Sequence, residues 1–516
     1  MTKVLYVGLD DRPCNYHYPL MLSDICDDID MIAPPFELMG KLKKAADTDA
    51  IWKWIFENAS DADYAILSVD TLVYGNIIHS RIHNRSKEQC DAYMDNFKKL
   101  KEQNPKLEIH AFNLVARVAA YDNDFEDPEY WANYGYAIWR YGWLKDRIKR
   151  GHDTEGEKEE LEKLTSFIPE EYLKDFLDRR AISRHINHKS VDFTKAGIFE
   201  RLVVPKDDTA EYGYAATDQA ALSEKIYSER IMDKVMVYPG ADEVGSVLFA
   251  RIFNKVKNFT PRIYTRYSSV LGPTIVPKYE DRPLHESIKA QITSLGGVMV
   301  DTPMESDMLF AVHSPGKFMI ECAEQFKNKD LTFSSHINLH EFASFINYYI
   351  KTYNKPVALS DVAMSNGADN EMMAYMSNIK LLDKLSAYGG WNTSENTNGM
   401  CLAHGVIHAY YESVGFEGGS RQKSEEFCAM KIIEDWLFQA NALYMGANEV
   451  VKRYPDKSPY FVSDIHDEIA NYMGEEVINL IDKEFAGVFK GKNVEISNFR
   501  MPWDRVHELH FDIKLV

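Results

Sequence analysis

The chain has 516 residues, 45% of them apolar, and its 79 Asp and Glu against 59 Lys and Arg give a formal net charge of −20. That length and apolar share exclude a disordered chain and provide for two or three domains around a large core. The acidic balance repels phosphate backbones and anionic lipids, which argues against nucleic-acid and membrane partners, and no apolar run reaches membrane-spanning length.

In chain order, "MTKVLYVGLDDRP" has no basic segment followed by a long apolar stretch, and it reads as a first strand rather than a signal peptide. Short β-branched runs then alternate with helical patterns, the signature of parallel sheets with crossover helices. Strands are predicted at 3–9, 29–34, 64–69, 108–115, 201–205 and 234–239, then at 262–267, 297–301, 308–313, 356–361 and 385–390. Apolar spacing of three and four places helices at 47–59 and 87–103. The span 126–200 is helical throughout and forms a cap-like insertion between the fourth and fifth strands.

The fold class that follows is α/β. A (β/α) barrel-like lobe covers 1–255 with its insertion at 126–200, and a second α/β, Rossmann-like lobe covers 256–415, either standing alone or completing the barrel. Residues 416–516 form a mostly helical region ending in a β-hairpin. Six cysteines are scattered without a CxxC, which points to reduced thiols in the cytoplasm and away from a disulfide framework or thiolate zinc site.

In barrels and open α/β sheets alike, reactive groups gather at the carboxyl ends of the strands. Here those ends are acidic: Asp10 and Asp11 beside Arg12, then Asp70, then Asp207 and Asp208, then Asp242 and Glu243, with Arg117 beyond the fourth strand. A single such Asp is accounted for by capping the next helix. Their repetition on one edge favours a site, because adjacent carboxylates need cationic partners, a bound substrate or shifted pKa values.

The stretch "VMVYPGADEVG" (235–245) carries the sharpest signal. Two neighbouring carboxyl groups in different surroundings divide labour, one staying protonated as an acid and the other ionised, which is what glycosidic cleavage requires. "PGADEVG" resembles the "GGDEV" signature of family 20 β-N-acetylhexosaminidases. That resemblance implies that Asp242 orients the substrate's 2-acetamido group while Glu243 serves as general acid and then base. Over its full length the chain resembles the bacterial domain-of-unknown-function family 4127, through "LDDRPCNY" (9–16), "LSVDTLVYGNIIHSR" (67–81), "KDDTAEYG" (206–213), "YPGADEVG" (238–245) and "YGGWNTSENTNG" (388–399). This second resemblance implies a whole bacterial protein and brings no mechanism.

The expectation is a cytoplasmic, exo-acting glycoside hydrolase for a terminal 2-acetamido sugar, with Asp242 and Glu243 catalytic. Asp10, Asp11, Arg12, Asp70, Arg117, Asp207, Asp208 and Tyr238 are expected to line the substrate pocket, with Trp391 as a stacking platform and Asn392 as a hydroxyl partner. A small carbohydrate is the expected partner, self-association is left open, and no cofactor or metal is assigned. GxGxxG, Walker A and GxSxG patterns are absent. The alternatives are a metal-dependent hydrolase using the acidic strand-end cluster, beside which His336/His340 and His404/His408 have helical i, i+4 spacing, and a non-catalytic sugar-binding protein.

Overall fold

A computed structural model describes residues 1–516. The chain divides into two compact units: Met1–Asp11, Met31–Gly245 and Tyr279–Arg282 form the first, and Arg12–Asp30, Ser246–Lys278 and Pro283–Val516 form the second. The architecture is mixed α/β with parallel sheets and many helices, as the alternating pattern implies.

The first sheet contains β1 (Thr2–Val7), β2 (Ile29–Ile32), β3 (Tyr64–Ser68), β4 (Glu108–Phe112), β5 (Arg201–Lys206) and β6 (Val235–Pro239), in the order β2-β1-β3-β4-β5-β6. From β1 through β6 the described pairs are parallel, with Val4 opposite Tyr64, Tyr64 opposite Glu108, His110 opposite Arg201 and Leu202 opposite Val235. Near-continuous apolar runs such as Val4–Val7 and Ala65–Leu67 are buried, as strands covered on both faces require.

The next strands are β7 (Arg262–Tyr267), β8 (Val298–Val300), β9 (Met308–His313), β10 (Ile320–Glu321), β11 (Val357–Asp361), β12 (Met364–Ser365) and β13 (Ala387–Gly389). Five of them make a second sheet in the order β13-β11-β9-β7-β8, again parallel, while β10 and β12 pair separately. Both sheets begin alike: the chain places its second strand on one side of the first and its third on the other. In each sheet the order therefore reverses once, between β1 and β3 and between β7 and β9. Such a reversal opens a crevice at the carboxyl ends of parallel strands.

The predicted insertion is three helices, Trp131–Arg150, Glu157–Phe167 and Glu170–Lys195. It builds a small core of its own from Trp131, Ala137, Ile138 and Ile168, against which Tyr134, Phe176 and Tyr214 pack. The C-terminal end is antiparallel, with β14 (Val488–Phe489), β15 (Lys492–Arg500) and β16 (His510–Leu515), and Pro502 lies in the turn between the last two. All six cysteines are free and buried. No helix is long and apolar enough to cross a membrane.

The helix Lys87–Gln103 starts at a reciprocal cap, in which Ser86 Oγ accepts from the Gln89 N–H and the Gln89 side chain accepts from the Ser86 N–H. Ser86→Ala removes one of these bonds. It is expected to lower the unfolding free energy by about 1 kcal/mol, read from the urea midpoint.

Candidate functional site

In the first unit the carboxyl edge of the sheet gathers Asp10 and Asp11 after β1, Asp70 after β3, Asn113 and Leu114 after β4, Lys206 to Asp208 at β5, and Gly240 to Glu243 after β6. Asp10, Asp11, Asp70, Asp207, Asp242 and Glu243 are all buried, as is Tyr238. Thr71 Oγ1 ties the first two of these ends together, lying 2.8 Å from both the Gly8 and Leu9 carbonyls.

Asp70 sits over the β3–β4 boundary. Its Oδ2 accepts from the Leu114 N–H at 2.8 Å and from Asn113 Nδ2 at 3.2 Å, and Asn113 Oδ1 in turn accepts from Asn187 Nδ2 at 2.8 Å. Burial outweighs these donors and pushes the Asp70 carboxyl up from 3.8 to about 7. At β6, Glu243 folds back so that its Oε2 accepts from the Ala241 N–H at 2.9 Å. Gly240 has φ +151°, and a Cβ there would lie 2.3 Å from Glu243 Oε1. Only glycine leaves room for the carboxylate beneath this turn.

A second feature of the same unit is a narrow pocket lined by Arg81 and Arg117 on one side and by Trp131, Phe176, Arg180 and Asp218 from the helices on the other. Its walls are set by ion pairs. Arg81 Nη2 meets Asp207 at 2.6 Å, Arg117 Nη1 meets Asp208 at 3.0 Å, Arg117 Nη2 meets Glu126 at 2.9 Å, and Arg180 Nε meets Asp218 at 2.6 Å. Asp127 also lines the pocket, 3.5 Å from Arg117, and burial raises its pKa against the pull of Arg117 and Arg81. Asp208 adopts a left-handed backbone (φ +37°), and burial together with Asp207 lifts its carboxyl to about 6. Trp131 Nε1 and Arg180 Nη2 are buried donors with no hydrogen-bond partner. Each such donor costs on the order of 1–3 kcal/mol until an acceptor arrives.

Of the expected site residues, only Arg117 lines this pocket. Asp127, Trp131, Phe176, Arg180, Asn187 and Asp218 come from the insertion and the helix after β5, where helical periodicity masks a binding role. "DPEYW" (127–131), an acid and an aromatic at a helix start, was the available signal. Asp242 and Glu243 do not line this pocket.

Arg12, Trp391 and Asn392 belong to the second unit. Arg12 lies over the Trp503 ring at 4.6 Å and within 3.8 Å of Glu508. Trp391, expected as an open platform, is only 4% exposed and carries the Lys431 ammonium 4.9 Å from its ring centre. Asn392 Oδ1 accepts from the Thr393 N–H and from Asn396 Nδ2, a local turn contact at the start of the helix Ser394–Ser413. His404 and His408 both bond Ser424 Oγ, and no group of three or more His, Cys, Asp or Glu side chains is arranged to hold a metal ion.

The chain belongs to the family described as protein of unknown function (DUF4127), whose model matches residues 4–512. No curated protein matches it.

Two stability measurements probe this edge. An acid whose native pKa lies above its unfolded value binds more protons folded than unfolded, so Asp70 makes the protein less stable as pH rises from about 4 to about 7. Asp70→Asn keeps an oxygen for the Leu114 and Asn113 donors and cannot ionise. Relative to wild type it is expected to gain stability between pH 5 and pH 8, by up to ~3 kcal/mol, in urea titrations at both pH values. Gly240→Ala forces either the turn or Glu243 to move, and is expected to cost about 1–3 kcal/mol in the same assay.

Proposed function

We propose that this member of the family is a glycoside hydrolase that holds one sugar ring in the capped pocket of the first unit. The observation that carries the reading is the composition of that pocket. Trp131 and Phe176 offer aromatic faces to the apolar side of a ring, while Arg81, Arg117, Arg180 and Asn187 offer planar polar groups to its hydroxyls. The buried N–H groups of Trp131 and Arg180 await oxygen acceptors. The helical insertion supplies the lid, which keeps bulk water from the reacting bond.

Glycosidic cleavage needs a proton for the leaving oxygen and an anion near the forming oxocarbenium. Asp127 is the proton donor in this reading, because burial keeps its carboxyl protonated to higher pH. Asp218, clamped by Arg180 and by Arg184 at 3.4 Å, is the standing anion. The two parallel sheets enter the proposal only as scaffolds that bring polar residues to their carboxyl edges. In this reading the first lobe is barrel-like and the second Rossmann-like.

A second assignment within the same class is favoured by the geometry at β6, where the Ala241 N–H fixes Glu243 beside Asp242. In that assignment Glu243 is the acid/base, Asp242 orients a 2-acetamido group, and the sugar's own acetamide oxygen attacks the anomeric carbon.

Aryl glycosides with and without a 2-acetamido group, tested against wild type, Asp127→Asn and Glu243→Gln, separate these assignments. The expected result is turnover by wild type that falls on the alkaline side and drops by about 10²–10⁴ in Asp127→Asn, with Glu243→Gln retaining activity. Loss in Glu243→Gln alone, restricted to 2-acetamido substrates, moves the acid to β6. Absence of turnover across the panel rejects the class.

A further inference from the structure

The second unit holds an arrangement that the sugar chemistry does not use. At the reversal point of its sheet, the residue after β7 is Ser268 and the last residue of β9 is His313. Ser268 Oγ lies 2.9 Å from His313 Nδ1, and His313 Nε2 lies 3.1 Å from Asp369 Oδ2. Ser268 Oγ also accepts from the Ser314 N–H at 3.0 Å, which leaves its own hydrogen to point at the imidazole.

The protonation pattern follows from the partners. Asp369 Oδ1 accepts from Lys329 Nζ at 2.8 Å and from the Glu371 N–H at 3.0 Å; His313 and Lys329 hold the carboxyl down at about 2, so it is an anion throughout the physiological range. An anion at Nε2 fixes the N–H there and leaves the Nδ1 lone pair free to accept the serine proton. His313 and Asp369 are buried, whereas Ser268 is part-exposed.

We propose that Ser268 is the nucleophile of a second reaction centre, with His313 as its base and Asp369 as a positioning residue, and that it hydrolyses small uncharged acyl esters. The ring nitrogens are used in the opposite sense to the serine-protease arrangement, with serine on Nδ1 and carboxylate on Nε2, but the roles are the same. Ser268 Oγ attacks the ester carbonyl carbon and its proton passes to His313 Nδ1. The carbonyl–alkoxy bond breaks, and the leaving alcohol takes that proton from the imidazolium. Water then attacks the acyl carbon, gives a proton to the same nitrogen, and releases the carboxylic acid as the proton returns to Ser268. Asp361, paired in register with His313 on β11 and buried, and Asp369 together stabilise the transient imidazolium and repel anionic substrates. A neutral ester suits this field and an anionic phosphate ester does not.

The test uses the full chain and a fluorophosphonate probe, followed by peptide mapping, with p-nitrophenyl acetate as substrate. Native protein is expected to take up one equivalent at Ser268 and urea-denatured protein none. Ser268→Ala abolishes the label, and His313→Gln slows it at least about 100-fold. Asp369→Asn shifts the pH profile of labelling, and Asp369→Glu restores it. Labelling at another serine, no labelling, or a rate unchanged in His313→Gln overturns the proposal. Because the glycoside panel reads a different unit, either proposal can fail alone.

Discussion

Everything at the carboxyl edge of the first sheet depends on how the chain tolerates buried carboxylates. Moving an ionised carboxyl from water into protein costs several kcal/mol unless donors or opposite charges surround it. This chain uses three different answers side by side. Asp207 and Asp208 are met by the guanidiniums of Arg81 and Arg117. Asp70 receives only neutral donors, so the proton itself becomes the partner near pH 7. Glu243 is folded under a glycine turn and held by the neighbouring backbone N–H. Burial leaves Asp70 and Asp208 holding their protons to higher pH, about 7 and about 6, and acids raised in this way suit acid–base chemistry.

The same constraint explains the helical insertion. Arg81 sits in the short helix His79–Ile82 and Arg117 in the loop after β4, and a guanidinium left half in water would bind its carboxylate weakly. The insertion covers them. It brings Trp131 and Phe176 over the pair, and it adds Arg180 with Asp218 on the opposite wall. Packing of Phe176 against Tyr214, with ring centres 5.0 Å apart, then holds the lid helix against the helix after β5. A lid whose underside is lined with orphan donors makes little sense as pure structure, since replacing them with apolar groups would cost less.

Much of this was legible in the sequence. Strands of the parallel sheets read as short β-branched runs, and for β7 and β9 the predicted limits coincide with the observed ones, 262–267 and 308–313. The acidic strand ends were equally visible, because parallel sheets send their loops to one edge whatever the details of closure. Three-dimensional convergence was not visible. Ser268, His313 and Asp369 are 45 and 56 positions apart and carry no local motif; the strand order alone makes them neighbours. Trp391 misled for a complementary reason. A Trp between Gly-Gly and a run of amides looks like an open loop, yet its ring is needed to cover the buried Lys431.

Lys431 shows how a buried charge cluster that serves structure differs from one that serves chemistry. Its ammonium lies 2.8 Å from both Glu434 and Asp435, Tyr18 bonds Glu434, and Asp435 Oδ2 accepts from the Gly390 N–H at 2.7 Å. Asp435 sits in the π-helical stretch Ile433–Ala442, whose wider turn brings its carboxylate within reach of the end of β13. The cation has two anions, one anion is spent on fixing a strand end, and two aromatic rings cover the ammonium. Its chemistry is already consumed by its own partners. By that measure Ser268 differs: its oxygen faces an imidazole that is itself held by an anion, and the residue is part-exposed. Where a buried cluster closes on itself it locks the fold, and where it ends in a part-exposed hydroxyl on a free imidazole lone pair, as proposed for Ser268, it has something left to give.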